Sequence, residues 1–209
     1  MRSYWLPIPF LALVAPVLAA TDAPPPVELL AALDSGQLSA EFHGAGDRMV
    51  TGTISRAEDG PQQAVIAPGT QFWAQLGGRQ GQTNLGAVPI DLRDRMVATV
   101  SFSTCCTNLL LRAPTPQDIM IPVVCPDARL AALLGKAGIT QVPHMAVQAA
   151  VWAIANDARA YDVRWVLLHE KAAGATHVQR SQWADAMVAQ AGELLRSIGL
   201  EPANFRLFR

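Results

Sequence analysis

Two stretches of the chain hold residue types that can do chemistry together. The first is Thr104-Cys105-Cys106-Thr107, and the second is His144-Met145-Ala146-Val147-Gln148-Ala149-Ala150-Val151-Trp152-Ala153-Ile154. In the second stretch His144, Gln148 and Trp152 are spaced four apart, so a helix stacks them on one face beside an apolar face of Val147, Val151 and Ile154. A thiol that reaches the side-chain carbonyl of a glutamine can expel ammonia and form an internal thioester, which an amine on a partner then opens to an amide. That chemistry needs a nucleophilic sulfur, donors for the tetrahedral oxyanion and shielding from water. Cys106 or Cys105 would supply the sulfur, Gln148 the acyl group, and His144 a general acid and base. The structural alternative is that Gln148 hydrogen-bonds to a neighbouring backbone while Trp152 packs in the core.

Other site readings carry less. A Cys106–His144 dyad with Asn156 further along the helix is a matter of composition in a chain with three cysteines and four histidines. His169-Glu170 is not followed by a histidine at helical spacing, and Cys105, Cys106, Cys125 and His144 lack paired C-x-x-C spacing, so no metal site is expected. Gly77-Gly78-Arg79-Gln80-Gly81 lacks the lysine and the strand-to-helix junction of a phosphate loop and reads as a solvated hairpin tip. Trp73, flanked by Gln71 and Gln75 on the face opposite Phe72, is a candidate platform for a sugar or peptide, and Trp152 is a second candidate binding residue. His43 falls on the polar face of its strand and His177 in a loop. No cofactor is expected.

The elements that must position these residues fall into two halves. Residues 27–125 read as β-rich and 126–209 as helical, giving an α+β fold: an antiparallel β-sandwich or barrel-like N-terminal half followed by a C-terminal helical subdomain packed on it. A short helix is expected over Val27–Leu33. Alternation marks strands at Leu38–His43, Val50–Ser55, Ala64–Ile66, Phe72–Leu76 and Val88–Leu92. The clearest strand starts at Met96, with Met96, Ala98, Val100 and Phe102 on its apolar face. If the period of two persists, Thr104 and Cys106 join that inner face and Cys105 looks outward. Leu109–Leu111 and Ile119–Val124 are further strand candidates, and Val163–His169 fits strand or helix. Helices are expected from Pro126 to Gly135, from Pro143 to Ala155, and from Ser181 as N-cap to Gly199.

Val147-Gln148-Ala149-Ala150-Val151-Trp152, downstream of a cysteine in a β-rich region, resembles the glutamine block of bacterial surface thioester domains. The resemblance spans roughly residues 96–155. It implies a bond between Cys106 (or Cys105) and Gln148, and a role in covalent adhesion.

Composition limits the remaining choices. The 209 residues are 51% hydrophobic and 16% charged with a formal net charge of −1, which argues against disorder and against a basic nucleic-acid binder. Met1–Ala20 reads as a signal peptide, with Arg2 ahead of an apolar stretch from Trp5 to Leu18 and small residues at Val17-Leu18-Ala19-Ala20. Residues 21–26 read as a linker. An exported protein, periplasmic or extracellular, with no membrane span in its mature chain is therefore expected. In an oxidising compartment one disulfide from Cys105 or Cys106 to Cys125 is expected, leaving one thiol over. The first functional expectation is a non-enzymatic binding, adhesion or envelope-associated module with a protein or glycan surface ligand. The alternative is a thioester-forming domain that attaches itself to amines.

Overall fold

The structure, a computed structural model, describes residues 25–170 and 174–209. The expected signal peptide and most of the linker lie outside the described residues. The chain enters through β1 (Val27–Glu28) and the single-turn helix α1 (Leu29–Asp34), whose first turn is capped by the Glu28 carboxylate accepting from the Ala31 N–H at 3.0 Å. Eight strands follow: β2 (Leu38–Gly44), β3 (Met49–Arg56), β4 (Gln63–Ile66), β5 (Gln71–Ala74), β6 (Gln82–Asn84), β7 (Val88–Asp91), β8 (Val97–Cys106) and β9 (Ile119–Val123).

Six of these strands close into an antiparallel barrel in the order β2-β3-β8-β6-β5-β9. The other three form a side sheet, β1-β4-β7. The fold is thus α+β, and its main sheet is a closed barrel rather than a sandwich. Closure leaves the main sheet without free outer strands. The last pairing that closes it is short, Phe42 opposite Met120 and His43 opposite Ile119. Three rings fill the barrel: Phe42, Phe72 and Phe102, with centroids 5.1, 5.3 and 6.3 Å apart and mostly edge-on. Val50, Ile54 and Met120 complete the packing around them. Gly52 is required on β3 because a Cβ there would fall 2.3 Å from a ring carbon of Phe42.

Four helices come next: α2 (Ala128–Gly138), α3 (His144–Asn156), α4 (Ala160–Glu170) and α5 (His177–Arg196). Two 3-10 turns, Pro202–Asn204 and Arg206–Phe208, end the chain. α3 is the central helix, with all residues from Met145 to Ile154 buried, and it packs against α2, α4, α5 and β8. A helix apolar all round must be covered all round. Among the described residues no helix is long and apolar enough to cross a membrane.

Several local expectations are corrected. Leu109–Leu111 is a turn with Leu110 exposed, and β8 begins at Val97, so Met96 lies just outside it and is half exposed. Val163–His169 is helical, within α4. α5 starts one turn before Ser181, because Thr176 and Gln179 form a reciprocal capping box that satisfies two end groups at once. The expected disulfide is absent: Cys105, Cys106 and Cys125 are all free thiols. Adjacent residues on a strand point to opposite faces, which separates Cys105 from Cys106. Cys125 follows β9, and the row Val123–Gln71–Thr83–Cys105 puts two strands between it and the pair. At roughly 4.8 Å per strand step that separation far exceeds disulfide reach. The Cys125 thiol donates instead to the Asp127 carbonyl at 3.2 Å.

The helices closely approach the connection between β6 and β7 at Gly138, where an added Cβ would lie 2.4 Å from the Cα of Gly86. Backbone cannot rotate away as a side chain can. Gly138→Ala should therefore lower the unfolding free energy by about 1–3 kcal/mol, measured by denaturant titration.

Candidate functional site

β8 is longer than the strand beside it. Its pairing with β3 ends at Ser103 opposite Met49, and one more bond follows, Thr104 N–H to the Arg48 carbonyl at 2.8 Å. From there the backbone of β8 faces α3, which supplies side chains where a strand would supply peptide groups. The His144 Nε2–H donates to the Thr104 carbonyl at 2.8 Å. The Cys106 N–H donates to Gln148 Oε1, and Gln148 Nε2 donates to the Cys106 carbonyl, each at 2.8 Å. Asn156 Nδ2 donates to the Thr107 carbonyl at 3.1 Å and its Oδ1 accepts from the Leu109 N–H at 3.3 Å. One helical face at four-residue spacing thus serves as the missing neighbour of one strand.

The two cysteines of β8 sit in different surroundings. Cys105 points outward from the barrel and is buried in the helical core, in the same cluster as Val147 and Val151. Burial pushes its thiol far above the ordinary range. Cys106 faces Gln82 across the pair β6–β8 and donates its thiol proton to the Asp47 carbonyl at 3.2 Å. Its thiol is pushed up to about 12, first by burial and then by the Asp47 carboxylate, against the smaller opposing effects of the Gln82 amide and the Arg48 guanidinium. Cys106 and Gln148 are 2% and 3% exposed.

His144 lies 3.8 Å from the Cys105 sulfur. A carbonyl only accepts, so the bond to Thr104 fixes the proton on Nε2, the nitrogen nearest that sulfur. The imidazole therefore presents a donor, not a base, to Cys105. Burial also holds its pKa below the usual 6.5. The Cys–His dyad that composition allowed is not formed by either cysteine, and Asn156 serves the turn after β8 rather than the imidazole.

The remaining candidates lie elsewhere. Trp152 is buried in the helical core and offers no surface to a ligand. Trp73 is half exposed on β5, its indole N–H donating to Gln71 Oε1 at 3.2 Å. His43 meets Glu41 at 2.7 Å, and His169 accompanies the Trp165 ring on α4. His177 opens α5 rather than lying in a loop. Among the described residues no group of His, Cys, Asp or Glu is placed to hold a metal ion. A cleft of about 460 Å³ between Pro143 and Leu194, and one of about 480 Å³ along Ser39 and Thr53, touch neither Cys106 nor Gln148. Sequence reasoning missed Asp47, Arg48 and Gln82, which surround the Cys106 sulfur. The only signal was the unusual polarity of Gln82-Thr83-Asn84 in a fully buried strand. Comparisons of the chain with family models, with curated proteins and with solved structures returned no match.

Two expectations follow from this geometry. Gln148→Leu strands the N–H and the carbonyl of Cys106 in a buried place, so stability should fall by about 2–4 kcal/mol in a denaturant titration. For His144, the unfolded chain binds the proton more tightly than the folded one. Its contribution is therefore complete above the unfolded value of 6.5 and is lost as the pH falls below it towards the depressed folded value. His144→Gln, which keeps a donor for Thr104, should flatten that acid-side decline in melting temperature.

Proposed function

We propose that this chain is a thioester-forming domain in which Cys106 and Gln148 are the reacting pair. The observation that carries this is the carboxamide of Gln148 held by both hydrogen bonds on the backbone of Cys106 itself. The likeness of the Val147–Trp152 block to bacterial surface thioester domains points the same way. In this reading α2 to α5 act as a helical subdomain seated against the barrel, with α3 carrying the acyl donor.

The step balances as follows. The Cys106 sulfur attacks Cδ of Gln148 and forms a C–S bond. The C–N bond breaks, the thiol proton goes to the departing nitrogen, and ammonia leaves. The Cys106 N–H already donates to Oε1, the atom on which negative charge develops, so one oxyanion donor is in place before the reaction starts. Burial of both residues keeps water from hydrolysing the acyl sulfur bond. A primary amine on a partner then attacks the same carbon, forming an amide and returning the thiol. Because burial keeps the thiol protonated at neutral pH, proton transfer accompanies the attack rather than preceding it. His144 has no base role in this reading, its Nε2–H being committed to the Thr104 carbonyl.

A non-reactive binding module is the second reading, favoured by the fact that the same two hydrogen bonds also satisfy the edge of β8. Intact mass of the denatured protein after alkylation separates the two. The thioester gives loss of one ammonia and alkylation of two of the three cysteines, with methylamine adding to the acyl carbon and freeing the third. Cys106→Ala should abolish the ammonia loss. A full-mass protein in which all three cysteines alkylate and no methylamine enters leaves Gln148 as a strand cap and overturns the proposal.

A further inference from the structure

Cys106 and Gln148 are both buried, and on the sulfur side the segment against them is the connection between β2 and β3, residues 45–48. Besides the Thr104 N–H bond to the Arg48 carbonyl, five contacts hold that connection down. Gln82 Nε2 donates to the Gly46 carbonyl at 2.7 Å, and the Gly46 N–H donates to the Pro114 carbonyl at 3.1 Å. The Cys106 thiol donates to the Asp47 carbonyl at 3.2 Å. Finally, the Arg48 guanidinium pairs with Glu170 on α4 and reaches Met145 Sδ on α3 at 3.6 Å.

We infer that residues 45–48 form the entry gate to Cys106 and Gln148, and that Arg48 is the positioning residue that keeps it shut through Glu170. This rests on the thioester reading for its purpose but not for its geometry. Arg48 is the member of the connection whose side chain crosses to the helices, linking the cover of the sulfur to both α3 and α4. Its pair with Glu170 is partly solvated on both sides, and such pairs are weak and screened by salt. Gly46 sits at φ +90, and a Cβ built there would meet nothing within 4 Å, so the turn has open space on that side once its two backbone hydrogen bonds give way. Acylation also acts on the gate. A thioester sulfur carries no proton, and the Asp47 carbonyl has only lone pairs to offer, so the contact from Cys106 is lost when the bond forms. The loaded state is therefore held by fewer contacts than the unloaded one, which eases entry of the amine when there is something for it to attack.

The test uses the full chain and the rate of methylamine incorporation by intact mass. Glu170→Gln and Arg48→Gln should each react several-fold faster than the parent at low salt, up to about fivefold, the factor an exposed ion pair can carry. Raising the salt should speed the parent and leave both variants unchanged. Arg93→Gln, which removes the distant pair with Asp91, should match the parent throughout. Should the protein keep its ammonia, the thioester reading fails on its own. The gate is then read by the rate of iodoacetamide labelling at Cys106, located by peptide mapping, with the same pattern expected. Equal rates for parent, Glu170→Gln and Arg48→Gln at every salt concentration overturn the gate even where the thioester forms. So does an acceleration that Cys105 shares, because Cys105 lies in the helical core and its labelling reports general unfolding.

Discussion

The structure turns on the overhang of β8. A barrel strand that outruns its neighbour leaves N–H and carbonyl groups facing nothing, and a buried backbone group without a partner costs about 1–3 kcal/mol. Thr104, Cys106 and Thr107 all meet this problem, and α3 solves it with His144, Gln148 and Asn156. This explains an otherwise odd helix, apolar nearly all round yet carrying polar side chains at regular spacing along one line. It also fixes the depth and rotation of α3, because a carboxamide bonding at both ends to one residue tolerates little sliding. The remaining helices then pack around a centre whose place is already set.

The same arrangement joins stability to chemistry. Gln148 is held for a structural reason, yet the way it is held puts its carbonyl oxygen on a donor and its carbon beside the residue that bears a sulfur. The burial that makes an edge cap necessary is the same burial that would shield the acyl group in the proposed reaction. The raised thiol of Cys106 comes from that burial, and in the proposed reaction its proton leaves as the sulfur bonds.

Much of this was legible in the residues. The alternation from Ala98 to Phe102 located β8, and extending its period put Cys106 inside and Cys105 outside. The four-residue spacing of His144, Gln148 and Trp152 located the polar line of α3, although Asn156, not Trp152, turned out to continue its hydrogen bonding. What escaped was whatever depends on spatial neighbours. The pairing expected for Cys125 assumed that closeness in sequence means closeness in space, and the barrel order puts two strands between β8 and β9. The role of His144 depended on which nitrogen carries the proton, and that is set by a carbonyl on another element. Asp47 and Arg48 gave no pattern of their own and Gln82 only the polarity of its short segment, because they matter through the sulfur they surround.

The seam of the barrel has a consequence for assembly. β2 belongs to the first quarter of the described chain and β9 lies past its middle, and only two residue pairs join them, Phe42 with Met120 and His43 with Ile119. Such distant partners must find each other across a large loop, which slows folding. Sealing of the cylinder therefore needs nearly the whole β region, through β9. The helices follow the barrel strands in the chain, so in synthesis from the N-terminus the strand that α3 packs against, β8, is made before α3 itself.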